Sequence, residues 1–243
     1  MADNLQIAQV SCEGGLNTNR DVLSQGQLAS GSAIRLINYE PSVSGGYRRI
    51  SGFQEAYPSL PGTGAVLGVC VANNVNDGIL ACRAPTSGNN YLHYWDDATD
   101  AWVAVTTSGS PTMTGVNKVR FHRYNWSADE VILVDGVNPA ATYDGTTYTQ
   151  ITHANAPTNP KYVTTFKSHM FLAGASASQN SLYFSAPLDE TDFSVANGAG
   201  EINVGFDIVQ IKTFRDELYI FGTNNIKKLV GNSVADFQLQ QVT

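Results

Sequence analysis

Positive charge is scarce in this sequence. Its 243 residues include 14 lysines and arginines against 21 aspartates and glutamates, for a net charge of −7, and charged residues make up only 14% of the chain. We take Arg48-Arg49 as the basic cluster of the sequence and interpret it as a strand-end pair with a structural role. Because binding through nucleic-acid phosphates requires clustered Lys and Arg, the composition argues against a protein that grips DNA or RNA in this way.

Cysteines and long apolar runs are also few. Three cysteines, an odd number without framework spacing, argue against a disulfide scaffold. Cys70 and Cys82 fall on adjacent predicted strands, and we expect both to be reduced core residues. No run reaches the roughly 18 apolar residues that a membrane span needs, and the N-terminal residues MADNLQ lack a basic and apolar leader. We therefore expect a soluble protein that is made in the cytoplasm.

Catalytic and cofactor-binding motifs are missing. The four histidines share no metal-binding spacing, and the acidic runs at 96–100 and 189–192 lack the pattern of a calcium loop. Residues 143–148 fail the Asp-box pattern of sialidase propellers, and no nucleophile elbow or phosphate-binding glycine loop occurs. We expect a non-enzyme with no cofactor or metal, in which the acidic runs are solvated turns, with a weakly bound cation as the alternative. Solvated or satisfied core positions are expected for His93, His122, His153 and His169.

Strand-like runs recur with a period of about 45 residues. Four of these runs, AWVAV, TYTQI, DFSV and DFQL, begin with or carry an aromatic residue near their start, and the aromatics are 46, 45 and 44 residues apart: Trp102, Tyr148, Phe193 and Phe237. A repeat of this length built from strands is typical of propeller blades, each of which is a four-stranded unit that buries its faces on its neighbours. We therefore expect each of these four runs to be one strand of a blade.

Each repeat contains three further strand candidates. First strands are predicted from Val66, Lys118, Lys161 and Asp207, and second strands from Gly78, Glu130, His169 and Glu217. Weaker third runs are YLHYWD, PAATYDG, SLYFSAP and NIKKLVG. The one helix we predict is short, around Ser30 to Leu36. The sequence therefore predicts an all-β fold, a β-propeller-like array of four-stranded antiparallel blades with about four visible repeats in residues 61–243.

Residues 1–60 do not follow the blade spacing, and we interpret them as an N-terminal assembly segment. Its paired glycines at 14–15 and 45–46 permit positive φ, and NYEP followed by SGGYRRI predicts a turn between two strands. Its apolar residues are too many for a disordered arm, so we expect the segment to pack against the blades or a neighbouring subunit. These residues are Ile34, Leu36, Ile37, Tyr39, Tyr47, Ile50 and Phe53.

Two stretches resemble a family of bacteriophage proteins. GGL near the N-terminus, followed by LINYEP and GGYRRISGF, is similar to the opening of the tail tubular protein B, or nozzle, family of short-tailed phages and of related head-tail connector and packaged-DNA stabilisation proteins. Residues 167–231, with SHMFLAG, LYFSAPLDETDFS and LYIFG, resemble the propeller of those proteins. The matching positions there are Phe171, Leu172, Gly174, Ser185, Phe193, Ile202, Val204, Ile211, Leu218, Ile220 and Phe221.

The resemblance implies a virion structural protein of the tail or head-tail junction, made in the host cytoplasm. Several copies, commonly six, ring a channel through which DNA passes without sequence-specific binding, and the partners are portal, adaptor or tail proteins. An acidic wall would let DNA slide without sticking. The assembly residues in this reading are Gly14, Gly15, Leu16, Asn38, Tyr39, Glu40, Pro41, Gly46, Tyr47, Arg48, Arg49, Gly52 and Phe53.

Two questions stay open at this stage. The sequence lacks the long insertions of large nozzles and ends at QLQQVT where further blades are expected, so it is a compact member, a truncated product, or closed by strands from its N-terminal segment. The alternative function is a carbohydrate-binding or adhesin component of a phage tail, with Tyr91, Tyr94, Trp95 and Trp102 stacking on sugars. Blade packing is the favoured role for these rings, because aromatics in phase with a repeat are normally core.

Overall fold

A computed structural model of the chain describes residues 14–18, 31–72, 78–84, 91–111, 113–126 and 128–242. The chain divides into two compact units, an N-terminal unit of residues 1–57 and a blade unit of residues 58–243.

In the N-terminal unit, β1 (Tyr39–Pro41) and β2 (Tyr47–Arg49) pair as an antiparallel hairpin, which confirms the predicted turn. The helix expected around Ser30 to Leu36 is wrong for residues 31–36, and Ser30 lies outside the described residues. Ala33 there forms a parallel bridge with Leu16, and its N–H donates to the carbonyl of Gly15 at 2.9 Å. Its backbone groups are therefore engaged with a distant segment instead of a helical turn.

The first two blades have four strands each among the described residues, with one short strand between them. Blade 1 is formed by β3 (Val66–Val71), β4 (Ile79–Arg83), β5 (Leu92–Asp96) and β6 (Ala101–Ala104). The short strand β7 (Thr106–Thr107) follows. Blade 2 is formed by β8 (Arg120–Asn125), β9 (Asp129–Val134), β10 (Ala141–Tyr143) and β11 (Thr147–Gln150). Because β7 pairs in parallel with β11, the chain that leaves blade 1 covers the outer edge of blade 2.

The last two blades repeat the four-stranded pattern. Blade 3 is formed by β12 (Tyr162–Phe166), β13 (His169–Ala175), β14 (Ser178–Phe184) and β15 (Gly200–Asn203), with a 3-10 turn at Val195–Asn197. Blade 4 is formed by β16 (Gln210–Phe214), β17 (Glu217–Phe221), β18 (Ile226–Val230) and β19 (Gln238–Gln241). Neighbouring strands within each blade are antiparallel. The predicted all-β fold of antiparallel four-stranded blades is confirmed.

The predicted outer strand DFSV of blade 3 is wrong, because β15 lies further along the chain. A carboxylate oxygen of Asp189 accepts the N–H groups of Thr191 and Asp192 at 2.9 and 3.1 Å, and Asp192 accepts the N–H of Ser194 at 2.7 Å. These side chains bind the donors that a β-ladder would use and fold the segment into turns. Phe193 is still buried, so in this blade the aromatic residue marks a core position and not a strand.

The core of the blade unit consists of three clusters, one between each pair of consecutive blades. Along β9, Val131 and Leu133 belong to the cluster with blade 1, whereas Ile132 and Val134 belong to the cluster with blade 3. The strand β13 alternates in the same way between blades 2 and 4. The strands β9 and β13 are therefore covered on both faces, which explains why VILV and MFLA are continuous apolar runs.

The first strands of consecutive blades lie side by side. Contacts join β3 to β8, β8 to β12, and β12 to β16, so these four inner strands occupy the position that lines the axis of a propeller. In the first and last blades, one face of the inner strand carries exposed apolar side chains: 60% of Val69 on β3 and 60% of Phe214 on β16 are exposed.

The cysteines of blade 1 are free thiols, as expected. Cys82 on β4 is fully buried, whereas Cys70 on β3 is partly exposed, and Cys12 lies outside the described residues. Within the described ranges, no helix has the length and apolar character to cross a membrane.

Candidate functional site

The predicted assembly residues lie largely on the N-terminal hairpin. Its register places Tyr39 opposite Arg49, Glu40 opposite Arg48, and Pro41 opposite Tyr47. The exposed side chains of Arg48 and Glu40 form an ion pair at 2.6 Å, in keeping with a structural role for that arginine. Gly46, with φ of 74°, closes the loop by accepting the N–H of Ser42 at 2.9 Å. A side chain at position 46 would strain this conformation.

Tyr47 ties the hairpin to the residues around Gly14, Gly15 and Leu16. Its hydroxyl lies 2.7 Å from the carbonyl oxygen of Gly15 and 2.9 Å from that of Gly31, so a single proton is shared between two acceptors. A Cβ at Gly14 would lie 2.3 Å from Oγ of Ser32, so only glycine fits there. The Tyr47 hydroxyl thus joins two of the predicted residues, Tyr47 and Gly15.

A second group of predicted residues lines a surface groove of about 550 Å³ beside the hairpin. These residues are Asn38, Arg49, Gly52 and Phe53, together with Ile50 and Ser51. The N–H of Ile50 donates to the carbonyl of Asn38 at 3.0 Å, which holds the two ends of the hairpin together. The Phe53 ring is fully exposed at the rim. No described residue of the N-terminal unit is buried, so this unit is ordered by hydrogen bonds and has no core among its described residues.

The aromatic residues considered for sugar stacking are mostly packing residues. Only 2% of Tyr91 and 3% of Trp95 are exposed, and the Tyr91 hydroxyl donates to Asp135 at 2.8 Å. Trp95 and Trp102 pack edge to face with ring centroids 5.4 Å apart, and Nε1 of Trp102 donates to the carbonyl of Pro58 at 2.8 Å. Because sugar stacking needs an open ring face, the buried Tyr91 and Trp95 do not favour a carbohydrate site.

The histidines are held separately by local hydrogen bonds. His169 is buried, with Nδ1 2.6 Å from the carbonyl of Ser185, and His153 lies 3.1 Å from the hydroxyl of Ser194. His93 is also buried, but its Nδ1 has no hydrogen-bond partner among the described residues, so it departs from the expected satisfied core position. In the part of the chain that the structure describes, no three His, Cys, Asp or Glu side chains are grouped to hold a metal ion.

A basic site that sequence reasoning missed lies between the four inner strands. The inner-strand cavity, of about 340 Å³, is lined by Val69, Cys70, Lys118, Val119, Arg120, Phe121, His122, Val163, Gln210, Ile211 and Lys212. We expected no basic cluster beyond Arg48-Arg49, and this expectation is wrong for the folded chain, where basic residues distant in sequence line one cavity. Two lysines and one arginine, from two blades, line this cavity, and no acidic side chain is present among its described lining residues. Their separation along the sequence hides the cluster, but comparing the first strands of the repeats could have revealed it.

His122 is held in its neutral form at the cavity. Its Nε2 accepts the N–H of Thr165 at 3.1 Å and lies 2.9 Å from the Thr165 hydroxyl. A backbone N–H can only donate, so Nε2 carries no proton and the ring proton of neutral His122 is on Nδ1. Burial, and then the charge of Lys212, lower the pKa of His122 from its ordinary 6.5 to about 4.

Comparison with known proteins assigns no family to the chain. No protein-family model matches the chain, and no curated protein sequence is similar to it. Among solved structures, the chain is similar to a β-propeller domain in the crystal structure of BBS1N in complex with ARL6DN, soaked with lead. The TM-score is 0.40 at 7% identity, over 75% of this chain and 54% of that one, so the chain spans about half of that structure's length. A likeness at this level says nothing about activity or partners.

Proposed function

We propose that this chain is a virion structural protein of a bacteriophage, at the head-tail junction or tail nozzle, where copies form a ring around the DNA channel and help to retain and pass the genome. Two features support the proposal. The GGL and LINYEP segment precedes blades, which is the order of the nozzle and connector proteins that the sequence resembles. The observation that carries the proposal is that the N-terminal unit has a hairpin and exposed apolar side chains but no buried residue among those that the structure describes.

The exposed surface of the N-terminal unit is unusually apolar. Its exposed large apolar side chains include Leu16, Ile37, Tyr39, Val43, Ile50 and Phe53. A single two-stranded hairpin is at best marginally stable in water by itself, and each 100 Å² of apolar surface removed from water contributes about 2.5 kcal/mol. Burial at an interface would therefore stabilise the hairpin. Exposed apolar patches of this kind commonly mark protein interaction sites.

The neighbours in this proposal are further copies of the chain together with portal, adaptor or tail proteins. Identical subunits around an axis usually assemble with closed cyclic symmetry, and the family resemblance suggests six copies. The net charge of −7 suits a wall past which DNA slides, because like charges prevent the DNA from sticking. No catalytic or cofactor role is included in the proposal.

The proposal is tested first by location. Cryo-electron microscopy of the intact particle is expected to find a ring of this chain between portal and tail. Density on the outer capsid shell, or a single copy at the tail tip, would overturn the connector proposal. Displacement of a tail-tip copy by a glycan would support the adhesin alternative instead.

A second test asks whether the N-terminal unit assembles the ring. We expect Phe53→Ser combined with Ile37→Ser to reduce assembly with the portal or tail partners, measured by analytical ultracentrifugation. Val195→Ser is the matched control, because Val195 is an exposed apolar residue of the blade unit. Equal assembly of the wild-type chain and the double variant would show that the N-terminal unit does not carry the interface.

A further inference from the structure

We propose that the inner-strand cavity is a binding site for a small oxyanion of the phosphate class, held by Lys118, Arg120 and Lys212. This site is separate from the N-terminal hairpin, and its existence does not depend on the proposed ring.

Among the described residues, the three basic side chains at the cavity have no counter-ion. Within the described residues, none of Lys118, Arg120 and Lys212 forms an ion pair, although acidic residues outnumber basic ones in the chain. A cation elsewhere in blade 4, Lys228, is by contrast paired with Glu217 at 2.5 Å. Several unpaired like charges at one place repel one another, so a bound anion would stabilise the arrangement.

The three basic residues belong to two different blades, and a cation-π contact holds one of them in place. Lys118 and Arg120 belong to the segment that leads into and forms β8, whereas Lys212 lies on β16. The Arg120 guanidinium lies 4.8 Å from the centre of the Tyr162 ring, a cation-π contact that restricts its position. An anion with oxygens on several sides and more than one negative charge, such as a phosphate, matches this set better than a single carboxylate.

The remaining lining adds donors and apolar walls without adding negative charge. The Nδ1–H of His122 has no hydrogen-bond partner among the residues that the structure describes and is free to donate. Val69 and Val163 add apolar side chains to the lining. The volume of about 340 Å³ lies within the range of small-molecule sites, roughly 300–1,000 Å³. It suits inorganic phosphate or pyrophosphate.

The test is a titration of the purified chain with pyrophosphate at low ionic strength. Isothermal titration calorimetry and phosphorus NMR measure the binding. We expect one pyrophosphate per chain, bound less tightly as salt is added. Lys212→Gln is expected to weaken binding about tenfold, because a hydrogen bond to a charged group is worth about 1.5 kcal/mol or more. Lys212 is exposed, so its replacement should leave the fold intact, which circular dichroism checks. Lys118→Gln provides a second variant with the same expected loss.

Arg215→Gln is the matched control, since it removes one exposed positive charge from the same blade outside the cavity lining. Equal weakening by Arg215→Gln, or no pyrophosphate binding at millimolar concentration, would overturn the proposal. Citrate that binds as tightly as pyrophosphate would overturn the phosphate class. A short single-stranded oligonucleotide separates the sources. If pyrophosphate displaces the bound oligonucleotide and Lys212→Gln weakens oligonucleotide binding, the site also accepts a nucleic-acid phosphate. Oligonucleotide binding without pyrophosphate binding refutes a small-anion site.

Discussion

The blade unit and the N-terminal unit are held together by different interactions. In the blade unit, apolar side chains are buried between neighbouring blades, and the second strands of blades 2 and 3 are covered on both faces. In the N-terminal unit, no described residue is buried, and backbone and tyrosine hydrogen bonds hold the hairpin. Since apolar burial is the dominant favourable contribution to folding, the blades have a source of stability that the hairpin lacks.

One phenylalanine from each unit shows the difference most clearly. Phe171 on β13 is completely buried, and its ring packs against those of Phe166, Phe184 and Phe237 with centroid distances of 5.5–6.0 Å. Phe53 in the N-terminal unit is completely exposed. A buried aromatic stabilises its own chain, whereas an exposed one is available to a partner. The comparison therefore assigns self-stabilisation to the blades and association to the hairpin.

The largest expected difference in stability is between alanine substitutions of these two phenylalanines. Phe171→Ala should lower the free energy of unfolding of the blade unit by about 3–5 kcal/mol, because it removes buried apolar surface and leaves a cavity. Phe53→Ala should change it by less than about 0.5 kcal/mol. Thermal and urea unfolding of the two variants measures the difference. Similar losses in both would break the contrast between the two units.

A buried polar network is expected to give the next largest effect. Asp135 accepts hydrogen bonds from the Tyr91 hydroxyl and from the N–H groups of Val137 and Asn138, each at 2.8 Å, and so links blade 1 to blade 2. Asp135→Ala leaves these donors without their acceptor and should cost about 2–4 kcal/mol in urea unfolding.

Asp144→Ala is the control for this network. Asp144 binds the N–H groups of Thr146 and Thr147 in the same manner, but in an exposed hairpin turn where water can replace it. We expect a loss of about 1 kcal/mol or less. If Asp144→Ala were as destabilising as Asp135→Ala, the link between blades would have no special weight.

The blade strands could be predicted from sequence because their burial produces local runs of apolar residues. VILV and MFLA are continuous apolar runs since both faces of β9 and β13 are covered, and each run is preceded by a turn. The hairpin at Tyr39 to Arg49 could be predicted for a similar reason, because the two glycines before Tyr47 supply the positive φ of its loop.

The features that sequence reasoning missed depend on contacts between distant residues. DFSV has strand-like composition, but Asp189 and Asp192 take its backbone donors and fold it into turns. The inner-strand cavity joins Lys118 to Lys212, two residues on different blades that only the arrangement of the inner strands brings together. Neither effect can be deduced from hydrophobic periodicity.

The pH dependence of the blade unit should reflect His122. Its pKa is about 4 in the folded chain and near 6.5 when unfolded, so the unfolded chain alone takes up the proton between these values. The stabilisation is therefore complete above pH 6.5 and is lost as the pH falls toward 4, by as much as about 3 kcal/mol. Urea unfolding at several pH values measures this loss.

His122→Gln separates this residue from the other titrating groups, because a glutamine oxygen can accept the Thr165 N–H without titrating. The variant should lose less stability than the wild type between pH 6.5 and 4. Parallel pH profiles for the two proteins would show that His122 takes up its proton equally in the folded and unfolded chains.

The smallest effect is expected from Tyr47→Phe, and it should be confined to the N-terminal unit. The substitution removes only the hydroxyl that bridges the carbonyls of Gly15 and Gly31, which is worth about 1 kcal/mol. Amide exchange at Ala33, whose N–H donates to Gly15, should accelerate while the melting temperature of the blades stays the same. Tyr39→Phe is the control, since the half-exposed Tyr39 forms no hydroxyl hydrogen bond within the described residues. Equal exchange at Ala33 in both variants would mean that the Tyr47 hydroxyl does not order the unit, whereas a lower melting temperature of the blades would show that the two units are energetically coupled.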